Sequence, residues 1–286
     1  MTALISIIVP NFNHALYLPD RLNSIFNQTY QNFEVIILDD ASQDNSLDLL
    51  KAYKNHPKVS HYIVNKENTG SPFKQWKKGL ELAKGDFIWI AESDDFCSLD
   101  FLETQVEMLK KAEVTVALTK IFSNKAVGKT VAHPVFNKNK LYADILYCPI
   151  LNVSSVLFKS SLIKNLSAST FANYRIIGDI VFYFEFFKGT RIHYNNLTIN
   201  YFRRDVSGVS DLDNRSFNYL KTYFNEHCRF IRYAQKEDSS INNEVVSLYI
   251  KKFYNRVANR VSRVKKIRPS YLYLFIKFKL KLHILG

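Results

Sequence analysis

The feature that most constrains this chain is a repeated change of hydrophobic period within its first hundred residues. Short, continuous apolar runs alternate with stretches whose apolar residues fall three or four apart. Ile5–Val9 is the first run, followed by helical spacing at Leu16, Leu18, Leu22, Ile25 and Phe26. Phe33–Leu38 is the second and stops abruptly at Asp39-Asp40; Asp44 or Asn45 can then cap a short helix through Leu47, Leu49 and Leu50. Val59–Val64 reads as a third strand. Pro72 opens a helix with apolar positions at Phe73, Trp76, Leu80 and Ala83, and Gly85 ends it. Phe87–Ala91 then gives a fourth strand that runs into Glu92-Ser93-Asp94-Asp95. Strands that are apolar throughout are buried on both faces, so the pattern predicts an α/β fold with a mostly parallel sheet flanked by helices.

In such sheets ligands bind beyond the carboxyl ends of the strands. Here those ends carry Asn11-Phe12-Asn13, Asp39-Asp40 and Glu92 through Asp95. Taken singly, each reads as a helix cap or turn former; three together on one edge read as a site. A dinucleotide site needs a glycine-rich turn after the first strand, yet the chain has eight glycines and the first is Gly70. If phosphates bind, something else must neutralise them. Glu92 and Asp94, spaced i and i+2 with Asp95 adjacent, suit a hard divalent cation, Mn2+ or Mg2+, which in turn bridges phosphate oxygens.

Several ordered blocks then point to one family. They are Ser6-Ile7-Ile8-Val9-Pro10-Asn11-Phe12-Asn13, the stretch Ser24–Tyr30, the stretch Phe33–Asp44, then Asn68-Thr69-Gly70, Gly79–Ile88 and Glu92–Phe96. In this order they resemble the inverting family-two glycosyltransferases, densely over about residues 4–100 and more thinly over about 150–210. The resemblance implies a GT-A fold, Rossmann-like, and sugar transfer from a nucleotide-diphosphate donor, most often a UDP-sugar. It implies that Pro10 and Phe12 flank the base, Phe12 stacking in place of a common tyrosine. Asp40 would accept the uracil N3–H with Asp39 beside it, and Glu92 and Ser93 would line the donor. Asp94 would be the main metal ligand and Asp95 a second. Glu92 stands where the family more often has Asp, and Lys77 and Lys78 stand where Asn or Gln is frequent.

The catalytic base follows from the same resemblance. Ile177-Gly178-Asp179-Ile180-Val181-Phe182 is similar to the family's helix-opening Glu-Asp pair, with Gly178 replacing the Glu. Asp179 is thereby implied as the base, although an Asp at a helix start also simply favours the helix dipole. Glu185, six residues on and on roughly the opposite side of a helix, is the second candidate. Asn152–Phe158 resembles the strand beside the acceptor pocket. Tyr201–Ser210 resembles a loop closing over the donor diphosphate, with Asp205 where the family often has His. Arg203 or Arg204 would compensate through the guanidinium fork, Arg204 being the expected one.

Charge separates the chain into two parts. Of a net +13, residues 251–286 hold eleven Lys or Arg and no Asp or Glu, leaving the remainder at +2. A globally basic nucleic-acid binder is therefore not expected. The pattern is helical from Phe217 to Arg263; after Pro269 comes Tyr271–Ile276, then Lys277, Lys279 and Lys281 among Phe278, Leu280 and Leu282. The expected division is a catalytic domain over 1–212 and a helical, basic C-terminal extension over 213–286. Basic residues beside apolar ones suit an anionic membrane surface; a helix pair packed on the body with solvated lysines is the other reading. No apolar run approaches the roughly 18 to 20 residues of a membrane span, and three cysteines are too few for a disulfide framework. The expected location is cytoplasmic, peripheral at the inner face of the cell membrane. The expected acceptor is a glycan or lipid-linked hydroxyl in cell-surface polysaccharide biosynthesis. The rival reading is a non-catalytic sugar-nucleotide-binding or scaffold protein of the same fold.

Overall fold

The structure, a computed structural model, describes residues 2–123, 126–131, 150–203, 212 and 215–283. The chain divides into two compact units, one comprising Met1–Val135, Ile150–Arg175 and Glu185–Arg204, the other Phe136–Pro149, Ile176–Phe184 and Asp205–Gly286.

The first unit is built on the expected alternation. Strands β1 (Ile5–Asn11), β2 (Phe33–Asp39), β3 (Val59–Val64) and β4 (Phe87–Ile90) are parallel and lie in the order β3-β2-β1-β4. Being parallel, they all release the chain at one edge, where Asn11 pairs with Asp39 and Ile8 with Ile90. The sheet continues past β4 through β5 (Phe96–Cys97), β6 (Val114–Ser123), β7 (Ala126–Val131), β8 (Val156–Lys159) and β9 (Ile192–Arg203). In this half β8 is antiparallel to β4 and β6, β9 is parallel to β6, and β5 is antiparallel to β9.

Both faces of β1, β2 and β4 are covered, which is why these strands lack polar alternation, whereas the edge strand β3 is only partly buried. Ile5, Ile7, Val9, Val35, Ile37 and Trp89 face one way. They share a buried core with Leu18, Leu22 and Ile25 of α1 (Leu18–Phe26), Leu50 of α2 (Ser46–Lys51), and Phe101 and Leu102 of α4 (Phe101–Leu109). Each such side chain contributes roughly 1.5–3 kcal/mol when fully buried. Ile8, one residue out of phase, meets the opposite helix, α3 (Pro72–Leu82). A Cβ on Gly79 of α3 would stand 2.3 Å from Ile8 Cγ2, so the missing side chain lets this helix sit close to β1. Gly85 is less forgiving, because a Cβ there would meet backbone rather than side chain, Ser6 N at 2.6 Å and Leu4 O at 2.8 Å.

Two expectations need correction. Asn152–Phe158 is not strand throughout: Val153–Ser155 form a 3-10 turn and β8 starts at Val156. Serine hydroxyls compete with the ladder there, Ser155 Oγ donating to Asn152 O at 2.8 Å. Tyr201–Arg203 is the end of β9 rather than loop, paired with β6 and β5; the rest of that stretch, 204–210, lies outside the described residues.

The second unit is helical, with α6 (Phe217–Glu237), α7 (Asn243–Arg260), the short α8 (Arg263–Lys266) and α9 (Pro269–His283); α5 (Gly178–Phe187) begins in it. Ser216 and Asn242 cap α6 and α7 by accepting from the Tyr219, Glu244 and Val245 amides. Phe224, Phe253 and Phe278 meet with ring centroids 4.6–5.0 Å apart, so the apolar faces of α6, α7 and α9 pack on one another. Among the described residues no helix is long and apolar enough to cross a membrane.

Gly85→Ala tests the close approach. Its methyl would meet backbone atoms that cannot rotate away, and overpacking of this kind costs about 1–3 kcal/mol. Both tryptophans of the chain, Trp76 and Trp89, lie in the first unit, so tryptophan fluorescence in a urea titration reads that unit, and a lower unfolding midpoint is expected.

Candidate functional site

At the ends of β1 and β2 the chain turns through two residues in the left-handed region, Asn13 at φ 54 and Ala41 at φ 61. For an L-residue with a Cβ this conformation costs roughly 1–2 kcal/mol, and side-chain hydrogen bonds hold it. Asp39, fully buried, accepts from Asn11 Nδ2 and Ser42 Oγ, both at 2.7 Å, and from Ser42 N at 2.8 Å. Asn13 N donates to Ser42 Oγ at 2.9 Å, while Asn13 Oδ1 accepts from Gln43 N at 2.7 Å. The two loops are thus laced together. Between them Pro10 is buried and the Phe12 ring is left 41% exposed, a free aromatic face at the strand end.

Asp40 is also buried, and its carboxylate is full. It accepts from Asn65 Nδ2 at 2.7 Å, Gln75 Nε2 at 2.7 Å, Thr69 Oγ1 at 2.8 Å and Thr69 N at 3.1 Å. A carboxylate offers about four lone-pair sites. The base contact expected of Asp40 therefore meets a group already engaged in fastening the Asn65–Thr69 segment and α3 to the end of β2. Lys78 joins this network by donating from Nζ to Asn65 Oδ1 at 3.1 Å; Lys77 is half-buried on α3.

The loop after β4 carries the densest charge. Glu92 accepts from Trp76 Nε1 at 2.6 Å, its amide donates to Ser154 Oγ at 3.1 Å, and its carbonyl accepts from Arg21 Nε at 2.8 Å. It keeps some accessible surface, yet burial first and the Asp94 charge second push its carboxyl up to about 8. Ser93 Oγ and His14 Nδ1 are hydrogen-bonded at 2.8 Å. Asp95 is buried and accepts from Asn152 Nδ2 at 2.6 Å and Arg203 N at 2.9 Å, with Arg21 Nη2 at 3.9 Å. Burial and then Asp94 raise it to about 7. With both oxygens engaged, Asp95 ties the loop to β9 and Asn152, which is a different duty from the shared cation expected of it. Asp94 differs from its neighbours. It is half-buried, its carbonyl accepts from Arg203 Nε at 3.0 Å, and its carboxylate has no hydrogen bond or ion pair among the described residues.

Two buried cations lie under this loop. Arg21 is fully buried, 5.3 Å over the Trp89 ring, and its Nη1 and Nη2 have no hydrogen-bond partner among the described residues. Arg203 is sandwiched between Tyr17 at 4.0 Å and Phe122 at 4.4 Å, with Asp20 at 3.7 Å. Arg204 and Asp205 lie outside the described residues. Sequence reasoning missed Arg21, His14 and Gln75, and placed Trp76 only as an apolar helix position and Asn152 only in the acceptor-side stretch. For Arg21 a signal exists: it falls on the apolar stripe of α1 with Leu18, Leu22 and Ile25, where a lone cation implies a buried acidic partner.

Asp179 belongs to the second unit, as the second residue of α5. Half-buried, it is raised above the ordinary carboxylate value chiefly by burial, against the Ile180 amide and the Arg256 charge. Glu185 is no competitor as a base, because its carboxylate accepts from Thr170 N and Oγ1, both at 2.7 Å, and from Phe171 N at 3.2 Å.

Comparison with known proteins adds to this geometry. The family model for Glycosyl transferase family 2 matches residues 6–163. The chain is 35% identical to glycosyltransferase GlyG of Streptococcus pneumoniae over 121 residues, 41% of this chain and 39% of GlyG. It is 29% identical to the poly(ribitol-phosphate) beta-N-acetylglucosaminyltransferase TarS of Staphylococcus aureus over 167 residues, 56% of this chain and 28% of TarS. The matches thus span less than two thirds of these curated relatives. The crystal structure of S. aureus TarS 1-349 in complex with UDP-GlcNAc aligns with a TM-score of 0.68 at 18% identity, covering 97% of this chain and 81% of that one. The mannosyltransferase PcManGT from Pyrobaculum calidifontis, in complex with GDP-Man and Mn2+, aligns with a TM-score of 0.56 at 16% identity, covering 99% and 85%. At such identities the likeness is one of fold, and the fold is GT-A.

The raised carboxyls give a pH signature. In chelator-treated buffer Glu92 and Asp95 hold protons more tightly folded than unfolded. Their stabilising effect is therefore complete below the ordinary values of 4.5 and 3.8 and is lost as pH climbs through about 7 and 8. Glu92→Gln keeps an oxygen for Trp76 Nε1 but carries no charge. The expected result is a flatter decline of the urea midpoint between about pH 5 and pH 8 and a higher midpoint at the alkaline end.

Proposed function

Since this chain belongs to glycosyl transferase family 2, whose match spans more than half of it, we propose that it transfers a sugar from a UDP-sugar donor to a hydroxyl of a glycan or lipid-linked acceptor, with inversion. One observation carries the reading: of the carboxylates gathered at the sheet edge, Asp39, Asp40 and Asp95 are engaged by the scaffold, whereas that of Asp94 is left unbonded among the described residues. The residues fit a divalent cation, Mn2+ or Mg2+. Asp94 would hold it, and its charge already opposes ionisation of Glu92 and Asp95. No group of three or more His, Cys, Asp or Glu among the described residues could hold a metal; ions of this kind usually take one or two carboxylates and complete their shell with phosphate oxygens and water. Bound there, the ion supplies neutralisation of the leaving diphosphate. The complexes of TarS with UDP-GlcNAc and of PcManGT with Mn2+ support this assignment.

The chain's own residues do the rest. The exposed Phe12 ring stacks on the base beside Pro10, while Asp39 fixes the turn that presents it. Asp40 takes part in base selection from the end of β2, where it also fastens the Asn65–Thr69 segment. Glu92 and Ser93 line the donor, and Arg204 pairs with the diphosphate. In the transfer the acceptor oxygen bonds to the anomeric carbon as its proton passes to Asp179. The bond from that carbon to the diphosphate oxygen breaks, its electron pair leaving with the nucleotide, and a single displacement inverts the centre. A carboxylate raised by burial is suited to this base role near neutral pH.

The C-terminal helices bring the protein to an anionic membrane surface, at the inner face of the cell membrane. Tyr271, Leu274 and Phe278 of α9 face inward, leaving Leu272, Tyr273, Ile276 and Leu280 exposed beside Lys277 and Lys279. Val264 and Ile267 are exposed next to Arg263, Lys266 and Arg268. An open groove of about 490 Å³, lined by Ile250, Lys251, Tyr254, Phe275, Ile276 and Lys279, adjoins this face. Each basic residue at such a surface is worth about 1 kcal/mol.

Calorimetry and turnover with a panel of nucleotide sugars test the site. Asp94→Asn is expected to abolish the Mn2+-dependent part of donor affinity. Asp179→Asn is expected to keep that affinity and lower kcat by about 10²-fold or more. Binding without transfer or donor hydrolysis for any nucleotide sugar would favour the non-catalytic reading instead. For the membrane surface, flotation with phosphatidylglycerol-containing vesicles but not with pure phosphatidylcholine is expected, and Lys277→Gln with Lys279→Gln should weaken it several-fold.

A further inference from the structure

We infer that Glu226, on α6, is the positioning residue for Asp179, which makes the C-terminal helical segment part of the catalytic machinery; the inference rests on Asp179 being the base. The sequence ahead of α5, Arg175-Ile176-Ile177, has no Ser, Thr, Asp or Asn to cap the helix that presents Asp179. The amides there would be orphaned on entry, next to a glycine that leaves the backbone loose. Glu226 supplies what is missing locally. Its Oε2 accepts from Ile176 N at 2.9 Å and from Ile177 N at 3.1 Å, and the helix begins directly after, with Val181 N donating to Ile177 O at 3.2 Å. Glu226 is only 7% exposed. A carboxylate is retained in so buried a place only where hydrogen bonds and charges compensate it.

The same side chain acts on the electrostatics of Asp179. The charged and titratable groups that act on Asp179 electrostatically are Glu226, Tyr219 and Tyr223 of α6 and Arg256 of α7. The Glu226 charge raises the Asp179 carboxyl, the Arg256 charge lowers it, and Arg256 also hydrogen-bonds Tyr223. Glu226 thus fixes where the base sits, and its charge adds a small upward push to a carboxyl raised chiefly by burial. A helix cap from α6 that served stability alone would do only the first.

Two variants separate these effects. Glu226→Ala removes the acceptor, and Glu226→Gln keeps an acceptor oxygen without charge. With UDP-GlcNAc and Mn2+, or whichever UDP-sugar the wild-type chain turns over, Glu226→Ala is expected to lower kcat about tenfold or more while the donor KM stays within about twofold. Glu226→Gln is expected to recover most of kcat, but with the acid limb of the kcat–pH profile moved to lower pH, since removing a negative neighbour lowers the Asp179 carboxyl. Hydrogen exchange at the Ile176 and Ile177 amides should quicken in Glu226→Ala and remain slow in Glu226→Gln. Wild-type kcat in Glu226→Ala, or an unmoved acid limb in Glu226→Gln, overturns the inference. Should Glu226→Ala fail to fold, the limb of the Gln variant still decides. Asp179→Asn, run alongside, distinguishes a second failure: undiminished turnover in that variant removes the base assignment itself, whatever the Glu226 variants do.

Discussion

A loop bearing three acidic residues in four can be held at the end of a buried sheet only if cations lie beneath it. Arg21 and Arg203 meet that requirement from opposite ends of the first unit's sequence, one from α1 and one from the last residue of β9. Arg21 reaches the Glu92 carbonyl and Asp95, while Arg203 reaches the Asp94 carbonyl and gives its own amide to Asp95. Leaving either partner unpaired in so buried a position would be strongly unfavourable, because neither charge has water to turn to. The loop, the first helix and the last strand are therefore fixed as a set, and the position of Asp94 is a consequence of that set.

This division of labour among like residues organises the whole edge. Asp39 shapes a turn, Asp40 anchors a neighbouring segment and a helix, and Asp95 joins two distant strands. Three carboxylates are thereby turned into framework. Such a framework presents the Asp94 carboxylate and an aromatic ring at one edge without the glycine-rich backbone cradle that other nucleotide-binding sheets use. It also explains why Glu92 is tolerated where a shorter acid is more frequent: Trp76 Nε1 receives the longer side chain at 2.6 Å.

How far this could be read from sequence depended on the range of the interaction. The parallel strands and their helices were legible, because burial on both faces leaves a local mark: apolar runs such as Phe33–Leu38 that break off in acidic pairs. The gathering of Asn11, Asp39 and the 92–95 loop on one edge followed from parallel topology alone. The engagement of Asp40 and Asp95 was not legible, since it depends on Asn65, Gln75, Asn152 and Arg203, residues 25 to 108 positions away. Glu226 was hidden for the same reason; in sequence it is one more acid on an amphipathic helix. The strand expected over Asn152–Phe158 failed in the opposite way, through serine–backbone bonds too local to disturb the apolar pattern.

The left-handed turn at Ala41 bears on how this corner can vary over time. Any residue with a β-carbon is strained in this backbone conformation, one branched there most of all, whereas the short polar side chains of asparagine and aspartate tolerate it, as at Asn13. The conformation therefore favours glycine, asparagine or aspartate at this position and disfavours branched residues. A lineage that admitted valine there would have to rebuild the β2 corner, and with it the shelf on which Phe12 stands.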